Sequence, residues 1–129
     1  MTTALQIATW CAKALDGKKG QDLKVIGIRD ISILADYFVI ATGTSTTHVR
    51  ALADEVEFQL RQRDIAPKNI EGHNGNNWVL LDYGNVIVHV FSNETRSFYD
   101  LERLWRDGEQ IDVNQLIEGE QDENGRQEP

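Results

Sequence analysis

Residues 37–42, Tyr-Phe-Val-Ile-Ala-Thr, leave this chain little freedom. The run is apolar without alternation, which suits a strand buried on both faces rather than one lying on a surface. It meets Gly43-Thr44-Ser45 directly, and a helical pattern follows: Val49, Leu52, Ala53, Val56 and Leu60 recur at the spacing of one helix face. The chain must therefore set a strand inside a sheet, turn tightly, and lay an amphipathic helix back against it.

The flanking segments fill in the sheet. Thr3 and Gln6 form a capping-box pair, and Leu5, Ala8, Ala12 and Leu15 mark one face of a first helix, with Gly17 as its stop. Residues 23–29, Leu-Lys-Val-Ile-Gly-Ile-Arg, read as a strand, and Pro67 closes the region after the second helix. Residues 77–91 read as a hairpin turning at Tyr83-Gly84-Asn85. Asn93 is placed to cap a third helix carrying Phe98, Leu101 and Trp105 on one face, with Gly108 after it. Residues 109–117 read as a short further helix or turn. The order α-β-β-α-(β)-β-β-α predicts an α+β fold: a mixed sheet with helices packed on it.

The chain's 129 residues make one domain. We place it at 1–108, followed by an acidic extension at 109–129. From about residue 118 the extension is expected to be disordered: Glu118, Glu120, Asp122, Glu123 and Glu128 stand against one base, Arg126, with no aliphatic or aromatic residue to repay ordering. A net charge of −8 argues against a broad phosphate-binding surface and favours a basic protein partner. No apolar run approaches the ~20 residues of a membrane span. Residues 1–16 show no secretory pattern, and a single cysteine, Cys11, fits a reducing compartment, so we expect a cytoplasmic protein. Cys11 itself reads as a small core residue.

Strand, small-residue turn and helix start is also a geometry that cradles phosphates. Gly43-Thr44-Ser45 could serve that purpose, or Gly43 could make the turn and Thr44 or Ser45 cap the helix; the second reading needs less. A nucleotidyltransferase would also need paired acids to hold two metal ions. No Asp-x-Asp follows: Asp82 stands alone beside the hairpin turn, and Asp36 precedes its strand. His48, His73 and His89 with Cys11 match no metal-ligand spacing. The three histidines read as surface or internally satisfied groups, with His89 facing away from Val88 and Val90. We assign no catalytic residue, no metal and no cofactor.

In the hairpin, Trp78, Leu80 and Asp82 share one face and Val79, Leu81 and Tyr83 the other. Both faces are apolar. Helices cover one; this chain or a partner covers the other.

Three stretches carry a resemblance: ADYFVIATGTS (35–45), EGHNGNNWVLLDYGNVIVHVF (71–91) and RSFYDLERLW (96–105). In combination they closely resemble the Iojap family, the bacterial ribosomal silencing factors RsfS and their organellar relatives. The likeness runs over about residues 4–107 with no element missing. It implies a mixed-sheet scaffold related to nucleotidyltransferases but without their catalytic acids. The implied function is not enzymatic. Members bind ribosomal protein L fourteen on the large subunit and sterically block joining of the small subunit, lowering translation when nutrients are short. They are often dimeric when free, which leads us to expect a weak homodimer. With that partner in view, Trp78, Leu80 and Tyr83 are candidate apolar anchors, because rigid aromatic residues dominate interface energies. Asp36, Asp82 and Glu102 are candidate partners for lysines or arginines, and the helix start at Arg96 and Tyr99 is the next candidate surface. Because Trp78 and Tyr83 point to opposite sides, at least one of the two is open to being core. The rival readings are a nucleotide-binding or nucleotidyltransferase-type enzyme, and an RNA-binding module, which would show a basic stripe that this sequence lacks.

Overall fold

The computed structural model describes residues 2–30, 33–72, 77–93 and 107–118. Helix α1 (Ala4–Gly17) leads into β1 (Gln21–Gly27) and β2 (Tyr37–Gly43); then come α2 (Thr46–Arg61), β3 (Asn69–Glu71), β4 (Trp78–Asp82), β5 (Val86–Ser92) and β6 (Glu109–Ile111). The six strands form one sheet in the order β3-β4-β5-β2-β1-β6. Only β2 and β5 run parallel, from Tyr37 opposite Val86 to Gly43 opposite Ser92; the other neighbours are antiparallel. The mixed sheet with flanking helices is the expected α+β arrangement. β2 has strands on both sides and is buried from Phe38 to Gly43, as its unbroken apolar run requires.

Helices α1 and α2 lie on one face. Val25, Val39, Ala41, Val79, Leu81, Val86, Val88 and Val90 of the sheet meet Ala8, Cys11, Ala12 and Leu15 of α1 and Val49, Leu52, Ala53, Val56 and Leu60 of α2. Each fully buried aliphatic side chain here contributes about 1.5–3 kcal/mol. The α2 stripe is the expected one. On α1, Leu5 is exposed, and Cys11 takes the place expected for it in the core, where burial pushes its thiol pKa up.

Capping chemistry sets the helix starts. Gln6 N–H donates to the Thr3 hydroxyl at 3.1 Å, and Thr3 N–H donates to Gln6 Oε1 at 2.8 Å, so the capping box is complete. Ser45 caps α2, accepting from His48 N–H at 3.0 Å. The end of α1 differs from expectation. The helix includes Gly17, and the left-handed residue that turns the chain is Lys19, at φ 62°. Glycine is needed one step later: a Cβ at Gly20 would sit 3.0 Å from the Leu15 carbonyl oxygen, to which Gly20 N–H donates at 2.8 Å.

The hairpin forms at the expected residues, with Gly84 at φ +87° in the turn. Residues 109–111 differ from the reading as helix or turn: they pair antiparallel with Val25–Gly27 as an edge strand, and a helical stretch at 113–118 follows. Short segments such as this are decided by an available sheet edge rather than by their own propensity. The third helix expected after Asn93, and the acidic tail beyond Glu118, lie outside the described residues.

Candidate partner-binding face

On the face turned away from α1 and α2, the sheet carries aromatic residues. Phe38, Ile40, Ile26, Ile28 and Phe91 are buried there, with Trp78 and Ile87 packed against them. Trp78 opposes Phe91 and Leu80 opposes His89 across the β4–β5 ladder. The Trp78 and Phe91 rings stack at 5.5 Å between centroids, and the Phe38 and His89 rings meet edge to face at 4.8 Å. Such pairs add about 0.5–1.5 kcal/mol beyond burial.

His89 is 5% exposed, not a surface group. Its Nδ1 accepts from the Trp78 indole N–H at 3.3 Å. An accepting Nδ1 places the proton of the neutral ring on Nε2, which is buried without a hydrogen-bond partner among the described residues. Burial lowers the His89 pKa from 6.5 to about 4, so at neutral pH the ring is an uncharged acceptor. It fixes the orientation of an indole that is itself only half-buried.

Beside Trp78 lies a cleft of about 220 Å³ lined by Glu71, Gly72, Trp78 and Leu80. Gly72, at φ +79°, cannot be replaced there without collision: a Cβ would run into the Trp78 carbonyl oxygen. Trp78, Leu80 and Asp82 all point to this face, each half-buried, as β4 alternates. Asp82 lies about 13 Å along the strand from Trp78. One of its carboxylate oxygens accepts from Gly84 N–H at 2.7 Å and so braces the turn. Asp36, also half-buried, stands at the same end, its N–H donating to the Asn85 carbonyl at 2.8 Å.

Tyr83 is not part of this face. It is 7% exposed and packs in the aliphatic core under the helices. Burial, aided by the Glu57 carboxylate and opposed by Arg61, raises its phenol pKa. Strand alternation carries Tyr83 to the side opposite Trp78 and Leu80, so the three candidate anchors reduce to two. Arg96, Tyr99 and Glu102 lie outside the described residues, as does His73.

The Gly43 turn has a different purpose. A Cβ on Gly43 would sit 2.8 Å from both the Val49 backbone nitrogen and its Cγ2, so glycine is what lets α2 approach the end of β2. His48 takes up polar groups of the turn from within the chain. Thr44 N–H donates to His48 Nδ1 at 2.9 Å, which leaves the imidazole proton on Nε2 to donate to the Lys18 carbonyl at 2.8 Å. One histidine thus ties the start of α2 to the end of α1. The turn also lies at the opposite end of β2 from Asp36 and Asp82, about 20 Å away along seven residues. These groups do not meet in one site. Among the described residues, no three metal-ligating side chains cluster.

Two of these features had a readable signal. A histidine three residues after Ser45 is within reach of the turn it caps, and Gly72 before a strand marks a close backbone approach. The partner of His48 at Lys18 had none, because 30 residues separate them.

The family model described as "Ribosomal silencing factor during starvation" matches residues 1–129. The chain is 41% identical over 103 residues to the ribosomal silencing factor RsfS of Bacillus subtilis, covering 80% of this chain and 87% of that protein. It is 36% identical over 113 residues to the RsfS of Halalkalibacterium halodurans, covering 88% and 94%. A crystal structure of a protein from Chromobacterium violaceum superposes with a TM-score of 0.78 at 34% identity, over 81% of this chain and 87% of that one. This chain therefore belongs to the ribosomal silencing factor family.

Proposed function

We propose that this protein is a cytoplasmic translational repressor that binds the large ribosomal subunit through ribosomal protein L fourteen. Once bound, it blocks joining of the small subunit by occupying the space, under nutrient limitation and without chemistry of its own. Family membership supports the general role. The observation that carries the choice of surface is Trp78: an indole oriented by His89 and stacked on Phe91, yet half-buried, with Leu80 and an apolar cleft beside it. A rigid aromatic group of this kind loses little entropy on docking. Asp36, Asp82 and Glu71 supply acids toward the edges of the same region, suited to a basic partner. Arg96, Tyr99 and Glu102 remain in the proposal on the family resemblance, as does descent from a nucleotidyltransferase-type scaffold. A weak symmetric dimer of the unbound protein, formed through the same face, belongs to the proposal too.

Co-sedimentation with isolated large subunits tests it. Trp78→Ala is expected to weaken binding by about 2 kcal/mol or more, roughly thirtyfold, in a protein that still folds. Charge reversal at Asp82 is expected to slow association and flatten its salt dependence. Retention of both binding and inhibition of subunit joining in a folded Trp78→Ala, Leu80→Ala double variant would move the surface elsewhere.

A further inference from the structure

The outer surface of the helix pair holds a second cleft, of about 220 Å³, between α1 and α2. Its chemistry is unlike that of the rest of this acidic chain. Trp10, Lys13 and Lys18 line it from the α1 side, and Glu55, Gln59 and Arg63 from the α2 side. Three cations thus surround one carboxylate, and that carboxylate is already engaged. Glu55 accepts from the Gln59 amide at 2.7 Å and lies 4.0 Å from Lys18. Lys13 makes no hydrogen bond or ion pair among the described residues. The Arg63 guanidinium carbon lies over the Trp10 ring, 4.3 Å from its centroid.

We propose that this cleft binds a mononucleotide carrying two or more phosphates. The lysines define the anionic half of the ligand: Lys13 and Lys18 line one opening, where a diphosphate can meet them with charge-assisted hydrogen bonds. The Arg63–Trp10 cation–π pair defines the other half, since an indole and a guanidinium are both groups on which a nucleobase stacks. Size sets the limit. Drug-sized ligands fill pockets of roughly 300 Å³ and more, so this cleft holds part of a nucleotide and leaves the rest in water. That places the affinity in the micromolar range, not the nanomolar. The overall charge of −8 disfavours a nucleic-acid strand, which needs an extended basic path rather than three cations at one opening. The site lies on the helix side of the sheet, away from Trp78 and Leu80, so occupancy does not compete with a partner on that face. The inference stands independently of the ribosomal reading.

Isothermal titration of the full chain at low salt, with ADP and GDP as probes and pyrophosphate and adenosine as separate arms, tests it. Micromolar binding of a nucleoside diphosphate, at least tenfold tighter than pyrophosphate or adenosine alone, is the expected result. Lys13→Ala with Arg63→Ala should weaken it tenfold or more, Arg63→Lys severalfold through loss of the planar stack, and Lys68→Ala not at all. Circular dichroism confirms that each variant is folded. The proposal is overturned by absence of binding up to millimolar nucleotide, by equal affinity for pyrophosphate, by an unchanged double variant, or by an oligonucleotide that binds more tightly than the mononucleotide.

Discussion

The two faces of the sheet solve different problems with the same strands. Under α1 and α2 the side chains are almost all aliphatic, and they close against two helices with no directional bond required. On the other face the contacts are made by rings with polar handles: Trp78 donates to His89, and both stack with Phe91. The first face holds the fold together by area alone. The second combines burial with orientation and leaves Trp78, Leu80 and Asp82 half-buried. The difference teaches that burial on the two sides of one strand need not serve the same end. Alternating residues of β4 divide between stability and presentation.

Truncation tests that division most directly. Leu52→Ala, in the fully buried α2 stripe, is expected to cost about 2–5 kcal/mol in urea unfolding. Leu80→Ala on the half-buried face should cost well under half of that while weakening subunit binding. Equal losses of stability at the two sites would break the comparison.

Acid is expected to strike the aromatic face first. His89 titrates near 6.5 when unfolded and at about 4 in the fold. The unfolded chain therefore takes up a proton between these values that the folded chain does not, so stability is full above pH 6.5 and falls as pH drops toward 4. The loss approaches about 3 kcal/mol. Unfolding curves at pH 7, 6 and 5 measure it. In His89→Phe this part of the pH dependence should vanish; if it persists, another group carries the acid sensitivity.

The smallest expected effect lies at the α2 start. Ser45→Ala removes the acceptor for His48 N–H and should cost about 1 kcal/mol, measured as a shift in the urea midpoint. Because the cap serves the helix-covered side, subunit binding should be unchanged. A binding defect in folded Ser45→Ala would tie the two faces together and sharpen the comparison into a coupling.

Much of the fold was legible because its signals are local. The helical period of Val49 to Leu60, the Thr3–Gln6 cap and the hairpin around Gly84 each depend on residues a few positions apart. The candidate site was legible only in part. Alternation placed Trp78, Leu80 and Asp82 on one side, but no local pattern said which side the helices would cover. Tyr83 is accordingly an anchor candidate by sequence, and the helices over its side make it core.

By itself, then, the sequence determined the first two helices, the central strand, the hairpin, the face each residue of a strand shares, and the family. Period, capping and turn chemistry are properties of neighbours along the chain. Only the tertiary structure decided that Tyr83 is core, that residues 109–111 extend the sheet beside β1, that His48 links Thr44 to Lys18, and that His89 is buried as the acceptor for Trp78. Each of these depends on groups brought together from distant positions. A strand needs an edge to pair with and a buried imidazole needs a donor, and neither is written at the residue itself.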